Sequence, residues 1–333
     1  MLRAIRTITC GVTLLAAAVS APVMAAEKAM KTLNFGIIST ESQQNLKSSW
    51  NPFLEDMGKK LGVEVKAYFA PDYAGIIQGM RFDKVDIAWY GNKSAMEAVD
   101  RAGGEIFAQT VDFTGNPGYW SLLITQKDSP INTVEDMIKQ RGNLAFGNGD
   151  PNSTSGFLVP SYYVFAQNDI QPTDFKRSLN SSHEVNLFAV ANGQIDVATN
   201  NTESLSRFAK KNPEKAKNIK IIWKSPLIPS DPIVWRKNLP ENMKTKVYDF
   251  FMSYGKSGDK QELAILKELD WAPFKPSSDL QLLPIRQLSL FKKMRQLKGE
   301  EKLSNKQAEE LSGIQGKLSA LNRQMSAIEA MDK

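Results

Sequence analysis

Apolar residues recur along the chain in two alternating rhythms. Leu33-Asn34-Phe35-Gly36-Ile37-Ile38 is a short apolar run with partial alternation, which reads as a buried strand ending in the polar loop Ser39-Thr40-Glu41. Trp50, Phe53, Leu54, Met57 and Leu61 then fall at helical spacing. A strand at Val63, Val65 and Ala67, a loop at Pro71-Asp72-Tyr73, a helical stretch from Ile76 to Phe82 and a strand at Val85-Asp86-Ile87-Ala88-Trp89 continue the series. This alternation predicts α/β layers with a mostly parallel sheet.

One segment is echoed. Residues 84–94, Lys84-Val85-Asp86-Ile87-Ala88-Trp89-Tyr90-Gly91 and onward to Ser94, align without gaps on residues 194–204, Gln194-Ile195-Asp196-Val197-Ala198-Thr199-Asn200-Asn201 and onward to Ser204. Each reads as a short strand leading through a polar loop into a helix. As a repeat, the echo gives two similar lobes whose loops leave the carboxyl ends of their sheets, where ligands of open α/β sheets bind. The plainer alternative is that many strand–helix units look alike. Gly118 to Thr125 reads as a strand entering a second lobe and Ile219 to Ser225 as the return, after which Pro226, Pro229 and Pro232 interrupt regular structure. Two crossings make a hinge. The expected segments are 26–124 for the first part of lobe 1, 125–220 for lobe 2, 221–283 for the return to lobe 1 and 284–333 for C-terminal helices.

The tail has its own pattern. Ile285, Leu288, Leu290, Phe291, Met294 and Leu297 form one amphipathic stretch, and Leu311, Ile314, Leu318, Leu321, Met325 and Ile328 form a seam of about three heptads. The seam fits a terminal helix packed on its own domain or a homodimer contact, and Gly313 and Gly316 weaken it as an isolated coil.

Composition narrows the function classes. The 333 residues are 42% hydrophobic and 23% charged, an ordinary globular balance that excludes disordered, collagen-like and disulfide-scaffold chains. Lys+Arg exceed Asp+Glu by 42 to 36, too thin an excess to argue for nucleic acid. Cys10 and His183 are the whole supply of their kinds, so zinc, iron–sulfur and CxxC redox chemistry are not expected, and no cofactor is called for. Residues 1–25 read as a cleaved signal peptide, with Arg3 and Arg6 before the apolar stretch Cys10 to Val19 and small residues in Val23-Met24-Ala25. That stretch is far short of the roughly 20 residues a membrane span needs. Cys10 opens the stretch, whereas a lipid-attachment cysteine would follow it. Cleavage after Ala25 or Ala26 removes the cysteine and, with Arg3 and Arg6, lowers the net charge from +6 to +4. A thiol-free exported protein suits a bacterial periplasm.

The densest chemical signal is Gly147-Asn148-Gly149-Asp150-Pro151-Asn152-Ser153-Thr154-Ser155-Gly156, followed by an apolar and aromatic run. A polar loop entering a helix offers hydroxyls and free backbone N–H groups at the positive end of the helix dipole, a setting for a tetrahedral oxyanion. Pro160 predicts that the helix kinks or starts after Ser155. Neither the P-loop nor the GxGxxG spacing is present, and a structural N-cap would also explain these hydroxyls. His183 is either a solvated loop residue or a donor to an anion, and Glu203 and Asp231 are surface acids unless a cation pairs with them. Tyr73, Tyr90 and Tyr119 read first as packing residues. A hydrolase using Ser153 as nucleophile and His183 as base lacks a GxSxG elbow and a third group to orient the histidine. A structural partner protein built on the heptad tail would leave the polar loops unexplained.

At the motifs Ile37-Ile38-Ser39-Thr40-Glu41-Ser42, Tyr68-Phe69-Ala70-Pro71-Asp72-Tyr73-Ala74-Gly75, Val85 to Gly91, Gly149 to Gly156 and Thr199-Asn200-Asn201-Thr202-Glu203, the chain resembles the periplasmic phosphonate-binding proteins of ABC importers. The similarity extends through the mature chain to about Leu297. It implies an α/β, two-lobed, type II-like binding-protein fold with two hinge crossings and a C-terminal helical extension, no catalytic activity, and a permease in the inner membrane as partner. It further implies that Ser153, Thr154 and Ser155 hold the phosphonate with Tyr73, Tyr119 and His183, and that Glu203 and Asp231 meet a ligand ammonium. The physics agrees: two carboxylates beside an anion site repel a plain dianion at short range, whereas a zwitterion such as 2-aminoethylphosphonate satisfies both ends. Phosphite, phosphate or another oxyanion is the alternative ligand.

Overall fold

The computed structural model describes residues 30–299 and 303–331; the expected signal segment and Cys10 lie outside them. The chain builds β1 (Thr32–Ile37), α1 (Gln43–Leu61), β2 (Glu64–Tyr68), α2 (Tyr73–Arg81), β3 (Ile87–Trp89), α3 (Asn92–Arg101) and β4 (Gly104–Asp112), then crosses through β5 (Gly118–Tyr119). Next come β6 (Ser121–Gln126), α4 (Val134–Gln140), β7 (Ala145–Gly149), β8 (Arg177–Ser181), α5 (His183–Ala191), β9 (Val197–Asn201), α6 (Thr202–Lys211), α7 (Pro213–Ala216) and β10 (Ile219–Lys224). The return runs through β11 (Ile228–Pro229) into β12 (Pro232–Arg236), α8 (Glu241–Ser253), α9 (Lys260–Glu268) and β13 (Trp271–Pro276), followed by α10 (Leu283–Lys298) and α11 (Asn305–Met331).

Two sheets result, ordered β13-β4-β12-β3-β1-β2 and β10-β6-β9-β7-β8, with β5 and β11 paired between them. The expected mostly parallel sheet is corrected here. Parallel pairings join β1 to β2 and β3, and β7 to β8 and β9. β12 runs antiparallel to both β3 and β4, and β6 antiparallel to both β9 and β10. The cause is the double crossing, which brings the returning chain into the first sheet from the opposite end.

The internal echo is a structural repeat. Asp86 N donates to Asn34 O on β1 at 2.9 Å, and its carboxylate accepts the Asn34 N–H at 2.7 Å. Asp196 does the same with Ala145 on β7, also at 2.7 Å. Lys84 and Val85 donate to Gly79 O as Gln194 and Ile195 donate to Ala189 O. In each lobe this one aspartate fixes where the central strand leaves its helix and how it registers on its neighbour.

Burial follows the periodicities. The helical stripe Leu46, Trp50, Phe53, Leu54, Met57 and Leu61 is buried, and Trp50 packs against Phe35, Trp89 and Trp271 with ring centroids 5.2 to 5.5 Å apart. β6 is covered on both faces, Leu123 packing with Phe146 and Phe165, and Leu122 and Ile124 with Val190 and Phe208. α10 and α11 form a helical hairpin: Gln287 Nε2 donates to Asn322 Oδ1 at 2.7 Å, and Leu297, Ile314 and Leu318 are buried together. The first half of the heptad seam is therefore spent within the chain. α10 also touches both lobes, through Arg286 to Asp100 on α3 and through Arg295 Nε to Ala166 O at 3.1 Å.

The crossing is tight at Gly118, where an added Cβ would stand 1.9 Å from Ile228 O and 2.9 Å from its carbonyl carbon. Gly118→Ala must displace backbone at the β5–β11 pair, so it is expected to cost on the order of 1–3 kcal/mol. Thermal unfolding measures this; an unchanged midpoint would show that the paired crossing tolerates a side chain.

Candidate functional site

Loops from the carboxyl ends of both sheets meet over a small buried cavity of about 10 Å³, and every site residue expected from the sequence lines it: Tyr73, Tyr119, Ser153, Thr154, Ser155, His183, Glu203 and Asp231. Such a space has room for on the order of one water molecule, so a bound solute holds the lobes slightly further apart than they stand here.

The hydroxyl loop is built by local chemistry. Ser153 caps the turn that follows, its Oγ accepting from Gly156 N at 2.9 Å. The expected late start after Ser155 does not occur: helical structure begins at Thr154 in wide turns, with Leu158 N donating to Ser153 O and Val159 N to Thr154 O. The carbonyls one turn before Pro160 are satisfied from the sheet instead. Ser121 Oγ donates to Ser155 O at 2.6 Å and Thr199 Oγ1 to Gly156 O at 2.7 Å. Gly149 and Gly156 permit the close approach, since a Cβ on Gly149 would lie 2.6 Å from Gly156 backbone.

Each of the three hydroxyls already accepts one hydrogen bond. Ser153 Oγ accepts from Gly156 N, Thr154 Oγ1 from Lys93 N at 2.8 Å, and Ser155 Oγ from Asn201 Nδ2 at 3.1 Å. A hydroxyl has one proton to donate, and these three remain available to an acceptor in the cavity.

The bond from Lys93 crosses the cleft, and it has counterparts. The first backbone N–H groups of three first-lobe helices meet acceptors from the second lobe. Ser42 N, at the start of α1, donates to Glu184 Oε2 at 2.6 Å; Tyr73 N of α2 to Asp150 Oδ2 at 3.1 Å; and Lys93 N of α3 to Thr154 Oγ1. These are groups that a helix cannot satisfy internally.

His183 opens α5 and is 4% exposed. Burial, with the Arg207 charge adding to it and Glu41 opposing, lowers its pKa to about 4. Asn201 Oδ1 accepts from Ser204 N at 2.7 Å, which orients Asn201 Nδ2 toward His183 Nε2 at 3.2 Å. The neutral ring then carries its proton on Nδ1, which has no partner. Ser153 Oγ lies 3.4 Å from Nε2, but no group orients the imidazole as a base, and the serine already serves as a cap. The site is not arranged for nucleophilic catalysis.

The acids behave differently from surface carboxylates. Burial raises Glu203 to about 7, with Asp112 and Asp270 adding to the rise and Arg207 opposing it. Burial, then the charge of Glu203, raises Asp231 well above its ordinary range, although Tyr119 donates to its Oδ1 at 2.8 Å. Tyr73 and Tyr119 are 2% and 3% exposed, and burial keeps both phenols protonated. Tyr90 is a packing residue, fully buried with its hydroxyl donating to Ile76 O.

Sequence reasoning missed Thr40, Trp89, Asn201, Ser204 and Arg207 in the lining. Arg207 had a legible signal, four residues after Glu203 on one helix face. Asn201 occupies the echo position of Gly91, both being the residue before a helix. Thr40 Oγ1 is buried without a hydrogen-bond partner among the described residues, so the cavity wall holds a polar group with unused capacity.

Two lobes joined by paired crossings, with a small polar cavity between them, define a solute-binding protein. The family model of the ABC transporter phosphonate periplasmic substrate-binding protein matches residues 35–282. The chain is 64% identical over 307 residues to the phosphonates-binding periplasmic protein of Escherichia coli, covering 92% of this chain and 90% of that one. It superposes with a TM-score of 0.88, at 59% identity, on a crystal structure of a binding protein component of an ABC phosphonate transporter from Pseudomonas aeruginosa, covering 90% of this chain and 100% of that one. A probable phosphite-binding protein of Prochlorococcus marinus is 27% identical over 201 residues, 59% of this chain and 67% of that one. The chain belongs to the phosphonate periplasmic substrate-binding protein family of ABC transporters. It is a periplasmic binding component that works with a transporter, not an enzyme.

The raised carboxylates give a pH dependence whose sign can be worked out. The closed form binds more protons at Glu203 than the unfolded chain does between the ordinary value of 4.5 and about 7, so this group's contribution to stability falls as pH rises through that window. His183, lowered from 6.5 to about 4, acts in the opposite direction and is spent above 6.5. Between about pH 6.5 and 8 the melting temperature of the ligand-free protein is therefore expected to fall, and Glu203→Gln to flatten the fall; identical slopes would show that Glu203 ionises normally.

Proposed function

We propose that the protein captures an aminoalkylphosphonate, 2-aminoethylphosphonate foremost, by closing its lobes around it, and delivers it to a permease in the inner membrane. One observation carries the reading. Three hydroxyls with protons left to donate share a buried cavity with two carboxylates that burial and mutual repulsion make costly to ionise. An anion alone satisfies the first set and worsens the second; an ammonium on the same molecule relieves both.

In this reading Ser153, Thr154 and Ser155 hold the phosphonate, with Tyr73 and His183 beside it. A bound anion favours the imidazolium form of His183, whose Nε2 would then donate. Tyr119 donates to Asp231 in the closed form, so contact with the phosphonate requires its hydroxyl to turn. Glu203 and Asp231 receive the ammonium. Export by a cleaved signal at residues 1–25 belongs to the same reading and rests on the sequence.

Calorimetric titration with 2-aminoethylphosphonate, methylphosphonate, phosphate and phosphite tests the assignment, and the aminoalkyl ligand is expected to bind tightest. Glu203→Gln with Asp231→Asn should weaken it by about tenfold or more while sparing methylphosphonate. Equal losses for both would overturn the zwitterion model, and tightest binding of phosphite or phosphate would replace the ligand.

The tail carries a separate proposal. Leu321, Met325 and Ile328 extend the seam beyond the buried cluster on α10 and are partly exposed, which suits a homodimer contact. Truncation after Leu297 should leave ligand affinity unchanged and lower the solution mass from dimer to monomer; a full-length protein already monomeric would show the hairpin to be internal packing only.

A further inference from the structure

Two of the carboxylates that cross the cleft outside the cavity lining meet at the start of α1. Glu184, on α5 of the second lobe, accepts from Ser42 N at 2.6 Å and from Asn45 Nδ2, both at the start of α1 in the first lobe. Its own N–H donates to Thr40 O at 3.2 Å. The first turn of α1 has no acidic residue of its own, so this acid comes from across the cleft to the positive end of a 19-residue helix. One residue before Ser42, Glu41 points the other way. It accepts from Arg207 Nε at 2.9 Å and from Lys211 Nζ at 3.3 Å, both on α6 of the second lobe. Burial alone would raise the Glu41 pKa, but Arg207 and Lys211 outweigh it and hold the group below its ordinary range. Both Glu41 and Glu184 are absent from the lining of the ligand cavity.

We infer that Glu184 and Glu41 form a reciprocal latch that sets the equilibrium between open and closed lobes for every ligand alike. Each contact joins one lobe to the other, so each exists only when the cleft is shut. A contact made only in the closed state adds its free energy to closure, and apparent affinity scales with the population of the binding-competent form. Glu184 and Glu41 are therefore positioning residues, acting on affinity without touching the ligand. Loss of Glu184, whose side-chain partners all lie outside the cavity lining, should scale all dissociation constants by one factor, mainly through faster release, because the closed complex is the form that retains ligand. The inference rests on the hinge-closing reading of function.

The test uses Glu184→Gln and the milder Lys211→Ala, whose side chain is half exposed and outside the cavity. Binding of methylphosphonate and 2-aminoethylphosphonate is measured with each variant, alongside small-angle scattering with and without ligand. Glu184→Gln is expected to weaken both ligands by about tenfold, with their ratio kept and release faster. Lys211→Ala should do the same to a smaller degree. Unchanged affinities in a wild-type protein that compacts on binding would overturn the latch alone. A loss confined to one ligand would make Glu184 a specificity contact and also overturn it. A wild-type protein that does not compact would remove lobe closure itself, and the latch with it.

Discussion

Every helix begins with backbone N–H groups that it cannot satisfy internally, and in this protein one such group on each of three first-lobe helices is met by the second lobe. Glu184 serves α1, Asp150 serves α2 and the Thr154 hydroxyl serves α3. The constraint explains why the cleft shuts face to face with few voids. Open α/β sheets gather helix starts at their carboxyl edges, so two such edges brought together present donors that need acceptors. It also explains why Thr154 is available as a donor: with Lys93 N supplying an accepted bond, its proton is left to give. The same requirement within the second lobe fixes Ser153 as a cap and sets Ser155 against Asn201.

Against that well-paired frame the cavity is under-satisfied. Glu203 and Asp231 repel each other in a buried setting, and Arg207, whose charge opposes the rise of both, also gives its Nε–H to Glu41. Thr40 and His183 each keep a buried polar atom without a partner among the described residues. Polar groups in such places cost stability unless something completes them. A binding protein has reason to keep that deficit, since whatever completes it gains affinity. Pairing an anion-ready hydroxyl loop with a carboxylate pair restricts the completing molecule to one that carries both signs.

Much of the fold was legible in residue order. The period of two along Leu33 to Ile38, the helical stripe from Trp50 to Leu61 and the echo between residues 84–94 and 194–204 all became the elements they suggested. The echo went deepest, because Asp86 and Asp196 perform one task in both lobes. Strand direction was not legible. β12 reads locally like any other buried strand, and its antiparallel place between β3 and β4 depends on the route by which the chain returns. Pro160 misled for a related reason, since the hydroxyls that satisfy the carbonyls before it sit on Ser121 and Thr199, far away in sequence.

The sequence by itself determined the ingredients: a hydroxyl-rich turn, one histidine, two acids and a repeated strand–loop–helix unit. These follow from local propensity and spacing, which act over a few residues. Tertiary structure decided which ingredients meet. Tyr119 reaches Asp231 across 112 positions, Asn201 joins Ser155 to His183, and Arg207 bridges to Glu41 across 166 positions. Such meetings are set by sheet order and by the closing of one lobe on the other. The shifted carboxylates follow from those meetings too, because a pKa responds to burial and neighbouring charge, and neither exists until the chain has folded.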